Sequence, residues 1–202
     1  MTASVRASAH VLAMLEDGAA QVLDIGGGFG AQARLRDAAP IIRDALAQHV
    51  APWWPRLRVM AEPGRFFVER AATIFTPVIG KHVRGVAGVR NYFITDGLYG
   101  SLNCVLYDGH DPPVTVFRRA SAGRERRESN VWGPTCDSVD IVAKGILLPE
   151  LEIGDCLAFR DVGAYTVSGA CDFNGMPMST PITLYVGEDE DADADEDADE
   201  DA

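Results

Sequence analysis

Short apolar runs alternate with helical patterns in the first part of the chain. Residues 21–25 have the pattern of a buried strand that ends in a glycine-rich turn, and residues 40–50 place apolar side chains on one face of a helix. A second short strand is predicted over residues 57–61, and helical spacing follows over residues 66–79. The pattern predicts two consecutive βα units.

The pattern changes after Gly85. Short β-branched and aromatic segments are separated there by Gly, Pro, Asp and Asn, which indicates an antiparallel β-domain. The charged segment 118–130 is expected to be a loop. The predicted strands are residues 91–95, 103–107, 114–117, 156–160, 165–168 and 182–186.

Two architectures therefore follow each other, α/β and then all-β. We expect an α/β part over residues 1–88 and a β-sandwich or β-barrel over residues 89–187. Residues 188–202 hold eleven acidic residues, four alanines and nothing basic. Such a segment repels itself and has no apolar surface to bury, so it is expected to be a disordered tail.

The acidic tail also accounts for the charge of the chain. The formal net charge is −12, but the residues before the tail are almost balanced. A nucleic-acid binder would carry a basic face, and a protein held at a membrane surface would carry a polybasic segment. Both classes are disfavoured, and no segment approaches the run of about 18 apolar residues that a membrane span needs.

Cysteine usage indicates a reducing compartment. The four cysteines lie far apart without a CxxC pair, which predicts neither a zinc site nor a disulfide framework. A cytoplasmic location is therefore expected. The N-terminus lacks a continuous apolar core, so a helix with Val11, Leu12 and Leu15 on one face is favoured over a transit peptide.

The turn after the first strand is a candidate phosphate site. Glycines at the end of a buried strand let backbone N–H groups approach a phosphate, helped by the start of the following helix. Gly26, Gly28 and Ala31 also satisfy a loose dinucleotide-binding pattern. A plain tight turn explains the same glycines equally well, so three alternatives remain open.

The second strand ends in the sequence AEPGR. Side chains at the carboxyl ends of neighbouring parallel strands share one crevice, so Glu62 and Arg65 are expected near the glycines. Arg65 offers a planar fork for a phosphate, and Glu62 could pair with a protonated ring nitrogen. With the glycines they describe a pyridoxal phosphate site; the alternative is a surface ion pair that contributes little.

Later segments hold further candidates. Cys136 in WGPTCD is a candidate proton donor, and Asp137 is a candidate anchor for a substrate amine. A small buried thiol beside a turn-forming aspartate is the commoner explanation of such a pair. Tyr107 and Asp108 could simply end a strand, and Tyr165 is expected to be buried in one with its hydroxyl hydrogen-bonded.

Six segments stand out together along the chain, namely DIGGGF, AEPGR, DGLYGSLNCVLYD, WGPTCDSVD, LPELEIGDCLAF and GAYTVSGACDFNG. Their order and spacing resemble those of the fold-III pyridoxal-phosphate decarboxylases, most of all their eukaryotic-type ornithine decarboxylase branch. The resemblance covers nearly all of residues 21–186 and implies the C-terminal part of such an enzyme. It implies an incomplete (β/α)8 barrel of the TIM type, a C-terminal β-domain and head-to-tail dimers with shared active sites.

The resemblance also implies a reaction and a cofactor. The family's lyase reaction, decarboxylation of L-ornithine to putrescine in polyamine biosynthesis, depends on pyridoxal 5'-phosphate. Gly28, Arg65 and Tyr165 match residues that bind the phosphate, and Glu62 matches the partner of the pyridine nitrogen.

A second group of residues matches the substrate side of the family's site. Cys136 matches the residue that returns a proton to the substrate carbon after carbon dioxide leaves. Asp137 and Asp108, with Tyr107, match the group that binds the distal amine of ornithine. In the family these four residues reach into the active site of the opposite subunit.

The chain departs from the family in its lysines. Its two lysines, Lys81 and Lys144, do not match the Schiff-base lysine, and no histidine matches the one that stacks on the cofactor ring. A complete barrel needs about 250 residues, whereas fewer than 90 precede the predicted β-domain. The chain alone is therefore expected to be inactive.

Two functions follow from the resemblance. The chain is either part of an ornithine decarboxylase, as a homodimer or paired with an intact subunit, or a noncatalytic regulatory partner similar to antizyme inhibitors. The pairing of Asp108 with Asp137 favours ornithine over lysine or other basic substrates. A dinucleotide-binding domain would leave the β-half of the chain unexplained.

Overall fold

The computed structural model describes residues 2–15, 19–30, 32–85, 88–117 and 123–186, without the side chains of residues 2 and 32–35. The predicted disordered tail lies outside these residues. None of the described helices is long and apolar enough to cross a membrane.

Two short parallel strands and two helices form the first part of the structure. Strand β1 (Val22–Asp24) pairs in parallel with β2 (Arg58–Met60). Helices α1 (Thr2–Leu12) and α2 (Gln32–His49) pack against each other. The two predicted strands are confirmed, and α2 begins earlier than predicted because Pro40 lies inside it rather than at its start. The buried core of this part is small and consists of Val5, Leu12, Ala45 and Val50.

A six-stranded mixed sheet makes up the rest of the fold. Its strand order is β5-β8-β3-β4-β6-β7. All neighbouring pairs are antiparallel except β4 and β6, so the prediction of a purely antiparallel domain is wrong at that pair. The strands are β3 (Thr73–Arg84), β4 (Val89–Ile94), β5 (Val114–Phe117), β6 (Arg126–Trp132), β7 (Ile141–Pro149) and β8 (Cys156–Arg160).

Strand β3 holds the sheet together and corrects the prediction of a helix over residues 66–79. Its first half pairs with β8 and its second half with β4. Only α3 (Gly64–Val68) and a 3-10 turn (Glu69–Ala71) are helical. The run from Thr73 is rich in β-branched and aromatic residues, which suit a pleated sheet, and spacing alone does not separate a buried strand from a helix.

Three other predicted strands are absent from the described structure. Residues 103–107 contain helix α4 (Cys104–Tyr107), and residues 165–168 lead into a 3-10 turn (Val167–Gly169). Residues 182–186 are exposed and belong to no strand. Short apolar runs of this length do not separate a strand from a helical turn or a loop.

Strands β6 and β7 were missed by the sequence pattern. β6 begins inside the segment that was predicted to be a charged loop, because Arg126, Arg127 and Glu128 hide the alternation of buried and exposed positions. The core that these strands cover contains Tyr92, Leu157 and Phe159, all without solvent exposure. Strand β3 belongs to this sheet although it precedes the predicted boundary at residue 88, and the division into two domains stays a prediction.

Candidate functional site

The glycine turn and the AEPGR segment lie side by side at the end of the parallel strand pair. The N–H of Glu62 donates to the carbonyl of Gly26 at 2.8 Å. A Cβ at Gly27 would collide with the carbonyl oxygen of Glu62, so this position must stay a glycine. The backbones of the glycine turn and the AEPGR segment are therefore adjacent, and a crevice shared by their side chains stays a prediction.

The same turn has the geometry of an anion cradle. Gly26 and Gly28 have φ angles of +71° and +77°, and a Cβ at either position would meet nothing within 4 Å. Positive φ angles favour glycine, and the open space lets a ligand approach the backbone closely. The carboxylate of Glu62 is exposed beside them. These residues therefore fit a phosphate with a neighbouring cationic ring.

Arg65 is the centre of a second group of side chains. One guanidinium nitrogen (Nη2) lies 3.0 Å from Asp108 Oδ2, and the other (Nη1) lies 3.4 Å from Glu69 Oε1. The guanidinium carbon also lies 5.1 Å from the centre of the Tyr165 ring, a cation–π contact. The structure thus brings together three residues that the sequence singled out, namely Arg65, Asp108 and Tyr165.

Two of these positions differ locally from the prediction. Tyr165 lies in a loop after β8 rather than in a strand, has a φ of +54° and is 60% exposed. Tyr107 is the last residue of α4 and Asp108 follows it as the C-cap, so neither ends a strand, and Tyr107 is also exposed. Both tyrosine side chains are therefore accessible from solvent.

Cys136 and Asp137 belong to a separate group. The hydroxyl of Tyr99 donates a short hydrogen bond to Asp137 Oδ2, and Asn174 Nδ2 lies 3.1 Å from Cys136 Sγ. The Tyr99 ring stacks on Phe173 with 3.8 Å between ring centres. Cys136 is exposed, so the predicted alternative of a small buried thiol is wrong for this residue.

The hydrogen bond between Tyr99 and Asp137 shifts both groups. It raises the pKa of Tyr99 to about 12 and lowers the pKa of Asp137 below its ordinary value of 3.8. The aspartate is therefore ionised at neutral pH, as a residue that binds a cationic amine must be.

A buried carboxylate fixes the backbone around this second group. Asp140, 1% exposed, accepts hydrogen bonds from the N–H of Leu98 at 2.8 Å and from the N–H and hydroxyl of Thr135 at 3.1 and 2.7 Å. These donors lie beside Tyr99 and just before Cys136. Asp140 therefore joins the two loops that carry the group.

The two aspartates that the resemblance implies for the substrate amine have different partners in this single chain. Asp108 is paired with Arg65, and Asp137 is paired with Tyr99. Among the described residues, the two carboxylates have no hydrogen-bond or ion-pair partner in common. Their joint action on one substrate stays a prediction.

Sequence reasoning missed several contributors. Glu69 could have been found from its position four residues after Arg65, on the same face of a helical turn. Tyr99 lies inside a segment that was already used for the resemblance. His110 does not match the family's ring-stacking histidine, yet its Nδ1 lies 3.8 Å from Glu69 Oε1. Phe173 and Asn174 also lie inside a segment that was used for the resemblance, GAYTVSGACDFNG, but only the tertiary fold brings them to this group.

The two lysines lie on strands of the six-stranded sheet. Lys81 in β3 forms ion pairs with Glu150 at 2.7 Å and Glu152 at 3.1 Å, and the hydrogen bond to Glu150 raises its pKa above 10.5. Lys144 is exposed on β7. Among the described residues, no cluster of His, Cys, Asp and Glu could hold a metal ion.

The family follows from comparison with known proteins. A family model described as the C-terminal sheet domain of pyridoxal-dependent decarboxylases matches residues 17–163. The chain therefore belongs to the pyridoxal-dependent decarboxylase family.

Individual relatives give the closer context. The chloroplastic ornithine decarboxylase of Nicotiana glutinosa is 45% identical over 169 residues, which cover 80% of this chain and 38% of the relative. Antizyme inhibitor 2 of Xenopus laevis is 35% identical over 172 residues, covering 78% of this chain and 38% of that protein. The chain thus spans less than half the length of these curated relatives.

A solved structure matches the fold. The arginine decarboxylase of Paramecium bursaria Chlorella virus, bound to agmatine, superimposes with a TM-score of 0.71 and 33% identity. The match covers 87% of this chain and 48% of that structure. Proteins similar to this chain thus include decarboxylases and an antizyme inhibitor.

Proposed function

We propose that the chain is the C-terminal part of a pyridoxal phosphate-dependent ornithine decarboxylase that converts L-ornithine to putrescine. The observation that carries the proposal is the convergence of Arg65 with Asp108 and Tyr165, while Glu62 lies against the glycine turn. The identity to ornithine decarboxylases supports the substrate. When bound, pyridoxal 5'-phosphate supplies an electron sink for the electron pair left behind when carbon dioxide leaves.

The residues of this chain have distinct roles in the proposal. The backbone of Gly28, the guanidinium of Arg65 and the hydroxyl of Tyr165 bind the cofactor phosphate. Glu62 binds the ring nitrogen. Cys136 holds the proton that the substrate α-carbon receives, and its exposure leaves it free to face a partner subunit.

The substrate amine is bound by carboxylates. Asp137 is already ionised, and Asp108 supplies a second negative charge, with Tyr107 beside it. Because Cys136 and Asp137 form a group apart from Arg65, we propose that the two groups complete each other's sites across a dimer. The partner is either a second copy or an intact decarboxylase subunit, and the proposed location is the cytoplasm.

The chain by itself is proposed to be inactive. Lys81 is held by two glutamates, which favour its charged and therefore non-nucleophilic form. The test is borohydride reduction of the purified chain with pyridoxal phosphate, followed by peptide mass spectrometry. We expect bound cofactor without a fixed adduct on Lys81 or Lys144, and no putrescine from ornithine. A stoichiometric adduct on Lys81 would show that the chain carries its own Schiff-base lysine.

Complementation tests the dimer. The chain would be mixed with an intact ornithine decarboxylase whose own counterpart of Cys136 has been replaced by alanine. Restored putrescine formation, absent with the Cys136→Ala form of this chain, is the expected result. No restoration despite a mixed dimer on size-exclusion chromatography would contradict the shared site.

A regulatory role is the second candidate, favoured by the 35% identity to antizyme inhibitor 2. In that case the chain would engage an antizyme-like regulator without completing any active site. Pull-down of an antizyme by the purified chain, together with failed complementation, would favour this function.

A further inference from the structure

The buried carboxylate next to Arg65 has no role in the proposed function. Glu69 is a carboxylate with only 5% exposure, although it lies in a short 3-10 turn near the surface of the sheet. Burying an ionised carboxylate costs free energy unless nearby charges and hydrogen bonds stabilise it. Its Oε1 lies 3.4 Å from Arg65 Nη1, and the Arg65 side chain is itself only 11% exposed. Glu69 thus approaches the guanidinium from the interior.

The same residue is tied to the loop that carries Tyr165. The backbone carbonyl of Glu69 accepts a hydrogen bond from the N–H of Gly163 at 2.9 Å. A Cβ at Gly163 would collide with the carbonyl oxygen of Val68, so the two backbones are in direct contact. The position of this loop therefore depends on the turn that contains Glu69.

His110 forms a second link between these elements. Its Nδ1 lies 3.8 Å from Glu69 Oε1, and its Nε2 lies 2.8 Å from the carbonyl oxygen of Asp161, at the start of the Tyr165 loop. The His110 N–H also donates to the carbonyl of Cys104 in α4. The Glu69 carboxylate therefore contacts Arg65 and His110, and the Tyr165 loop is joined to them through the Glu69 carbonyl and through His110.

We propose that Glu69 is a positioning residue of the phosphate site, which orients Arg65 from the interior and, with His110, fixes the loop of Tyr165. The inference rests on the proposed function for its ligand, since Arg65 and Tyr165 are the proposed phosphate contacts. Asp108 contacts the same guanidinium but is more exposed, with 30% of its side chain accessible against 6% for Glu69. A phosphate therefore competes with Asp108 and not with Glu69.

The two carboxylates should affect the affinity for pyridoxal phosphate in opposite directions, and this difference gives a test. Removing a negative charge near a phosphate favours phosphate binding on electrostatic grounds alone. Asp108→Asn should therefore leave the affinity for pyridoxal phosphate unchanged or raise it. Glu69→Gln makes the same change of charge, yet it should weaken binding by about tenfold, because the charge-assisted hydrogen bond that orients the guanidinium becomes a weaker neutral one.

The experiment uses the purified chain and pyridoxal phosphate, with binding followed by equilibrium dialysis. His110→Gln should weaken binding in the same direction as Glu69→Gln, and thermal unfolding confirms that each variant is folded. Glu69→Gln binding as tightly as the unchanged chain would overturn the proposal.

A second readout needs no bound cofactor. Phenylglyoxal modifies arginine side chains, and mass spectrometry of the peptide containing Arg65 reports its rate. Glu69→Gln should accelerate modification several-fold, and an unchanged rate would overturn the positioning role. If no form binds pyridoxal phosphate but the Arg65 rate rises, the proposed function fails while the positioning role stands.

Discussion

The parallel strand pair and the six-stranded sheet differ in how well they bury themselves. Every residue of β2 is exposed, including Val59 and Met60, and the core beside it has four buried residues. Strand β8 instead buries Leu157 and Phe159 completely. The candidate site is divided in the same way. The glycine turn follows the poorly buried strand pair, whereas the partners of Arg65 lie next to the sheet. The glycine-turn half of the site is therefore less well packed than the half around Arg65.

The largest expected effect tests this difference in burial. Phe159→Ala removes a completely buried ring between β3 and β5, and we expect it to lower the free energy of unfolding by about 3–5 kcal/mol. Val59→Ala in β2 should cost less than about 1 kcal/mol, because the side chain is 45% exposed. Urea unfolding measures both. Similar losses in the two variants would show that the strand pair is as well packed as the sheet.

A buried carboxylate provides the next comparison. Asp140→Ala leaves the N–H groups of Leu98 and Thr135 without their acceptor, so we expect a loss of about 2–3 kcal/mol. The matched control is Asp44→Ala in α2, whose ion pair with Arg43 is fully accessible and should contribute less than about 0.5 kcal/mol. A loss for Asp140→Ala no greater than for the control would mean that water replaces the lost acceptor.

The sheet was predictable where local pattern and tertiary environment agree. The bounds of β5 and β8 match the predicted strands because both combine β-branched or aromatic residues with clear turns on either side. The prediction failed for β3, whose apolar residues also fit a helix, and for β6, whose charged residues face solvent along one side. Long-range pairing decides such segments, and no local pattern contains it.

The candidate site was predictable to the extent that its residues lie in continuous motifs. Arg65 and Asp108 were identified from separate segments, and the fold places them 3.0 Å apart. Glu69 and His110 were not identified from the sequence, because their contacts depend on the fold that brings them together near Arg65 and not on their own sequence context. The separation of four residues between Arg65 and Glu69, which places both on one face of a helical turn, was the local signal available for Glu69.

A smaller effect concerns the ion pairs that join β3 and β4 to the loop after β7. Burial alone would raise the pKa of Glu150, but Lys81 and Arg90 lower it below 4.5 overall. A lowered pKa stabilises the fold above the unfolded value, and this contribution is lost as pH falls through the folded pKa. Glu150→Gln should cost about 1 kcal/mol at neutral pH. The difference from the unchanged chain should vanish in acid.

Lys81, the lysine of this ion-pair network, gives the stability of the fold a second pH dependence. The pH dependence of the Lys81 contribution has the opposite sign, since its raised pKa stabilises the fold below 10.5, as long as Glu150 is ionised, and the contribution is lost as pH rises through the folded pKa. Chemical unfolding of both forms between acid and neutral pH gives the measurement. A difference that persists below the folded pKa of Glu150 would assign the effect to packing rather than charge.

The smallest effect distinguishes the two side-chain groups of the site and needs only a spectroscopic titration. The hydrogen bond to Asp137 raises the pKa of Tyr99 to about 12, so Tyr99 should ionise late in the ultraviolet titration, as should Tyr92, whose pKa is raised by burial. Tyr99→Phe should make the late step smaller by one tyrosine, and Asp137→Asn should move the Tyr99 part of it towards 10.0 because the negative partner is gone. A late step of equal size in Tyr99→Phe would mean that Asp137 is not held by Tyr99 and is free to bind a cationic amine without first breaking a bond.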